Sequence, residues 1–289
     1  MSRQIDFTSY IPTSLVGVNS LSKTLAAEAV TGLPIPTGAL PGKAFFLSEK
    51  WANQLSAVAI NSAPLLQCHA GWYMIVQIDA GATAANVTQG SIGAQLSLAA
   101  GPSDMTDMSH ALSQGINPVV FLNAVTPGYY TIVQIGGDAS VQLAASQTTA
   151  VGSILLSNSS GLATVASSNI TTTTYPEIVG IAEAVIITPA GALTLTAAAA
   201  ASGGSTVYTG TITGGGTNNY VGLYMVIAGF VNATNNSAYA GAQGFLVTAN
   251  TTTTITVANP LGIAETHAGT ATSTNLVRAT LNFPFGGVK

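Results

Sequence analysis

"GWYMIVQIDAG", Gly71–Gly81, is written a second time as "GYYTIVQIGGD", Gly128–Asp138. Each copy opens with Gly, an aromatic residue and Tyr, and after one variable residue continues Ile-Val-Gln-Ile. β-Branched and aromatic residues suit a pleated strand, and a Gly or Pro-Gly before each copy marks a turn into it. Side chains alternate along a strand. In the second copy this puts Tyr130, Ile132 and Gln134 on one face and Thr131, Val133 and Ile135 on the other. Both faces are largely apolar, so the strand is expected to be covered on both sides. The repeat leaves two readings open, a partial duplication or two strands of one barrel. A barrel of that kind closes within the chain or across a trimer.

The sequence around the repeat continues in short strands. "ASVQLAA", "GSILLSNSSGLATVA" and "EIVGIAEAVIITPAGALTLTA" alternate with Gly- and Ser-rich turns. Short strands at regular spacing with turn signals predict an all-β barrel or sandwich over residues 44–200. "AAAAASGGST", Ala197–Thr206, reads as a boundary, although the Ala run also suits the end of a strand or helix. Beyond it, residues 206–289 predict a second small β-domain, a sandwich. There "GFLVTANTTTTITVANP" reads as a hairpin with Phe245 and Val247 in one arm and Ile255 and Val257 in the other. Residues 1–43 read as an extended arm, since Pro34, Pro36 and Pro41 interrupt regular structure. "LSEKWANQLSAVAINS", Leu47–Ser62, predicts a helix from Trp51, Leu55, Val58 and Ala59, with a strand and loop as the other reading. "AAGPSDMTDMSHALSQGINPV", between the two copies, reads as a loop with a helical turn.

Composition narrows the function. Of 289 residues only 6% are charged, against roughly a quarter in an ordinary domain. The net charge is −4, and the six basic residues are scattered. Nucleic-acid binding needs clustered Lys and Arg to neutralise phosphates, so no nucleic-acid partner is expected. The apolar runs are broken by Glu183, Pro189 and Thr residues, so no membrane span is expected either. The first residues lack the basic-then-apolar layout of a signal peptide, which predicts synthesis in the cytoplasm. The single cysteine, Cys68, is expected to be a small buried hydrophobe, and the Asn-x-Ser/Thr matches, Asn235 and Asn250 among them, are expected by chance in so Thr-rich a chain.

Candidate chemistry is sparse. His69, His110 and His267 stand far apart, and Cys68-His69 are adjacent, which does not suit a shared zinc. Asp104, Asp107 and His110 in "SDMTDMSH" are spaced to contact a cation, with a solvated loop as the favoured reading. "GGGTNN" at Gly214 precedes neither Lys nor a helix, so it is not a phosphate cradle. No catalytic, metal or cofactor residues are assigned. Trp72, Tyr73, Tyr129 and Tyr130 are candidates for a carbohydrate platform, but their place at the start of strands favours core or subunit packing.

The residues that carry the strands resemble a family. "GYYTIVQIGGDASVQLAASQTTAVGSILLSNSSG" followed by "EIVGIAEAVI" resembles the decoration (cement) proteins of tailed-bacteriophage capsids. That family shows a Gly-Tyr strand ending in Val-Gln, a strand with an SxxG turn, and a closing "iGiA" strand. Here these fall at Gly128–Gln134, Gly152–Gly161 and Val179–Ala182. The segment from "AGFVNATNN" to "GFLVTANTTTTITVANP" is similar to a small β-module of phage structural proteins, with an insertion over Ser237–Gln243. The resemblance implies a virion protein on the outer surface of the mature head, with the major capsid protein as partner and a homotrimer as its form. Interface candidates are Phe7, Tyr10 and Ile11 in the arm, with Trp72, Tyr73, Tyr129 and Tyr130. The other reading is a head-fibre or tail-associated adhesin that binds host surface glycan.

Overall fold

The computed structural model describes residues 44–56, 59–60, 63–64, 68–95, 104–108, 118–128, 130–166, 178–237 and 244–281. Their regular structure is nearly all β-strand, with one short helix. The chain divides into two compact units, residues 1–139 with 159–161 and 281–289, and residues 140–158 with 162–280.

In the first unit, β1 (Ala44–Leu47) leads into helix α1 (Glu49–Ser56) and the two-residue strands β2 (Ala59–Ile60) and β3 (Ala63–Pro64). Then come β4 (Gly71–Ile78), β5 (Ile92–Gln95), β6 (Asp104–Asp107), β7 (Val119–Phe121) and β8 (Tyr130–Gln142). The helix predicted over Leu47–Ser62 is real over its first half and then gives way to the short β2–β3 hairpin. The segment read as a loop between the copies holds strand β6, because Met105 and Thr106 alternate into buried surroundings beside β5.

The two copies of the repeat are β4 and the first half of β8, and they pair with each other antiparallel. Tyr73 stands opposite Gln134, Ile75 opposite Ile132 and Gln77 opposite Tyr130. Each copy thus meets the other with its own Tyr against the partner's Gln, about a local twofold centred on Ile75 and Ile132. β4 pairs parallel with β6 through Gln77 and Ile78, β6 with β5, β5 with β7, and β7 with β8. With the β4–β8 pairing this closes a five-stranded ring within one chain. Of the two readings of the repeat, strands of one barrel is the one the chain adopts.

Met74, Val76, Ile78, Met105, Phe121 and Val133 form its core. The opposite face, with Tyr73, Ile75, Ile132 and Gln134, is buried as well, as two apolar faces require. The opening glycine has a physical reason: a Cβ on Gly71 would lie 2.2 Å from the Gly136 carbonyl oxygen and 2.8 Å from Gln134 Nε2.

The second unit contains β9 (Ile154–Ser157), β10 (Ala163–Val165) and β11 (Ile178–Ala182), followed by β12 (Leu193–Ala198), β13 (Thr206–Thr211) and β14 (Tyr224–Ala228). It continues with β15 (Phe245–Asn250), β16 (Thr254–Val257), β17 (Glu265–Ser273) and β18 (Leu276–Leu281). β18, β11, β9 and β10 are hydrogen-bonded in that order. The remaining six close a barrel in the order β12-β13-β16-β15-β14-β17. This is a closed barrel where a small sandwich was expected. The boundary read at Ala197–Thr206 is the end of β12 and the turn into β13, so that segment is an integral hairpin of the barrel. Closure removes open sheet edges.

Strand alternation is clean here: Leu193 and Leu195 point inward while Thr194 and Thr196 face solvent. The predicted hairpin is β15–β16, with Val247 opposite Val257 and all four expected apolar residues buried. Buried asparagines hold the end of β15 and the turn at Ala233–Asn235. Asn250 accepts the Tyr220 N–H at 2.8 Å and donates to the Gly216 carbonyl at 2.8 Å. Asn235 accepts the Ile263 N–H and donates to the Ile263 carbonyl, both at 2.9 Å. Both side chains are buried, so neither is open to glycan attachment in the folded barrel.

Candidate functional site

β1 alternates, and its alternation builds the surface of interest. Phe45 and Leu47 turn into the first unit, while Phe46 turns out and stands directly opposite Trp72 of β4. The two rings meet edge to face, 5.6 Å between centroids at 67°. Phe46 is 50% exposed and Trp72 44%. One position along, Phe45 and Tyr73 form the matching inward pair, with centroids 6.3 Å apart. A cross-strand aromatic pair adds a modest stabilisation to the sheet. Its wet face matters more, since covering about 200 Å² of such surface is worth on the order of 5 kcal/mol before the costs of association. On α1, the Lys50 ammonium lies 5.8 Å from the Trp51 ring centroid.

The structure sorts the expected interface residues. Trp72 is on the surface. Tyr73 is not: it is fully buried, and its hydroxyl donates to the His69 carbonyl at 2.5 Å. Burial pushes its phenol up, and nearby Cys68 pushes it further. Tyr73 is a core residue because it falls on the opposite strand face from Trp72. Tyr130 is in β8 opposite Gln77, and its side chain lies outside the described residues, as do Phe7, Tyr10, Ile11 and Tyr129. Phe46 was not singled out by sequence. Its partner is fixed by cross-strand register, and the four-residue "AFFL" gives no hint of it.

The second unit has its own exposed apolar positions. Ile154 of β9 and Ile181 of β11 stand opposite each other in register, both exposed, and Val151 and Val185 are exposed nearby in sequence.

Polar clusters in the described residues serve the fold. Asp107, at the end of β6, is fully buried and accepts the Thr83 N–H at 3.0 Å and Asn86 Nδ2 at 2.8 Å. It therefore fastens the turn at Ala84–Asn86, and His110, its suggested companion, lies outside the described residues. Cys68 and His69 are buried at the foot of β4. His69 Nδ1 has no hydrogen-bond partner among the described residues, and Glu49 Oε1 lies 3.6 Å away. The other Glu49 oxygen accepts the Ala70 N–H at 2.7 Å and so ties α1 to the start of β4. His267 is exposed on β17, far in sequence from the other two histidines. Among the described residues, no group of three or more His, Cys, Asp or Glu is placed to hold a metal ion. Among them too, no helix is long and apolar enough to cross a membrane.

The fold and this surface define an all-β protein of small closed barrels with an exposed aromatic pair. No family model, curated protein or solved structure matches the chain.

Proposed function

We propose that this chain is a structural protein of a virion, a capsid decoration protein that binds the outer surface of the mature phage head and stabilises it. The observation that carries the reading is the exposed Phe46–Trp72 pair on the rim of a compact, weakly charged β unit. A protein that acts by covering a lattice needs rigid elements and apolar contact points that carry little charge to desolvate. The motifs of the family resemblance also fall on consistent elements. Gly128–Gln134 runs into β8, while Gly152–Gly161 and Val179–Ala182 hold the antiparallel pair β9 and β11.

The mechanism is preferential binding. A ligand with affinity for the expanded lattice alone stabilises that state by mass action, and several linked contacts raise the effective concentration of each. The partner is the major capsid protein, and the chain acts as a homotrimer. The test is cosedimentation of the purified protein with unexpanded and expanded heads of the phage that encodes it. Binding to expanded heads, reduced at least tenfold by Phe46→Ser with Trp72→Ser, supports the proposal. Absence of binding to either head overturns it. Binding to host surface glycan in that case assigns the aromatic pair to an adhesin.

A further inference from the structure

On that reading of a self-associating shell protein, we propose that the Phe46–Trp72 pair is the seat for residues 7–15 of a second copy of this chain. The pair lies where the first 43 residues end: β1 begins at Ala44, and Phe46 is two residues into it. β1 is the terminal strand of its sheet order, with β4 as its neighbour. "FTSYIPTSL", Phe7–Leu15, carries four large apolar side chains and no charge, which matches an uncharged aromatic seat.

The connecting residues decide between the same chain and a neighbour. Residues 16–43 span at most about 100 Å when extended, which suffices to reach another copy. Pro34, Pro36 and Pro41 lie in the stretch just before β1. Prolines so close together favour an extended, semi-rigid spacer over a tight reversal onto the adjoining strand. If each copy offers one segment and one seat, the contact is heterologous, and it closes into a ring where the rotation between copies allows. The seat then assembles the oligomer whose linked contacts hold the head, so that losing it weakens head binding through lost avidity.

The test measures mass in solution by light scattering. It uses the full chain, a segment variant (Phe7→Ser with Tyr10→Ser) and a seat variant (Phe46→Ser with Trp72→Ser). All altered positions in the seat are exposed, so an unchanged melting temperature verifies folding. The expected result is an oligomer for the parent chain and a monomer for each variant. Mixing the two variants restores a one-to-one complex, because one intact segment then meets one intact seat. An unchanged mass in either variant overturns the proposal, as does a parent chain that is monomeric at all concentrations. Tryptophan emission that depends on the segment but not on protein concentration places the segment on its own chain and overturns it too. Head binding reads the decoration role separately: variants that remain folded and still pellet with expanded heads leave that role standing whatever the seat's occupant.

Discussion

Ile75 and Ile132 occupy the same column of the two copies and stand opposite each other in the barrel wall. The repeat is therefore a strand that pairs with its own likeness. The hydrogen bonds of the two glutamines depart from this symmetry. Gln77 Nε2 donates to the Gly128 carbonyl at 3.3 Å, reaching the glycine that opens the other copy. Gln134 Nε2, beside Gly71, donates to the carbonyls of Gly136 at 3.3 Å and Asp138 at 2.6 Å.

Gly71→Ala tests this packing. The added methyl meets the Gly136 backbone, which cannot move aside as a flexible side chain would. A loss of about 1–3 kcal/mol is expected from overpacking, read as a lower urea midpoint with little change in slope. A midpoint equal to that of the parent protein refutes the close β4–β8 approach.

Asp107→Ala removes the acceptor of the Thr83 N–H and of Asn86 Nδ2 in a buried site. Each lost hydrogen bond costs about 1 kcal/mol, so a drop in melting temperature is expected. Calcium or a chelator should leave the melting temperature of the parent protein unchanged. A shift with calcium would instead make Asp107 a ligand.

Glu265 supplies a pH signature in the second unit. Desolvation opposes its ionisation, but the Asn235 side chain, the Val231 N–H and both Asn232 donors outweigh it and hold the carboxyl at about 2, below its ordinary 4.5. Those contacts are 2.8 Å to Asn235, 2.6 Å to Val231, and 3.1 and 3.0 Å to Asn232. A lowered folded-state value gives stability that is present above pH 4.5 and is lost as pH falls towards 2. The melting-temperature gap between the parent protein and Glu265→Gln should therefore be constant near neutrality and close between those pH values. A gap that persists unchanged to pH 2 contradicts the carboxylate's role.

Tyr208→Phe tests the buried hydroxyl of the six-stranded barrel. That hydroxyl donates to the Asn235 carbonyl at 2.9 Å and accepts from Asn259 Nδ2 at 3.2 Å. Burial pushes its phenol up, although the Asn259 contact works the other way. Loss of the hydroxyl removes the donor to the Asn235 carbonyl and one of the two acceptors of Asn259 Nδ2, which keeps the Thr234 carbonyl at 2.9 Å, and should cost about 1–2 kcal/mol in denaturant unfolding. Spectroscopic titration should find a tyrosine that ionises above the ordinary value of 10 and is missing from the variant.

The sequence by itself determined the class of fold. Local propensity and period-two alternation are properties of neighbouring residues, so "YTIVQI", the Phe245–Val257 hairpin and the Leu-Thr alternation of β12 were all legible. The two apolar faces of the repeated strand foretold that it would be covered on both sides. Tertiary structure decided what depends on register and closure. "SDMTDMSH" read as a loop because its charges hide a strand whose Asp107 is paid for by two donors distant in sequence. The hairpin turn at Ser202–Ser205 read as a boundary because small residues mark a turn and a linker alike. Trp72 and Tyr73 are neighbours in sequence, yet one is wet and the other buried, since a strand sends successive side chains to opposite faces. Pairing with β1 then set Phe46, and not Tyr73, beside the exposed tryptophan. A sequence states which residues alternate; only the partner strand fixes which of them meet.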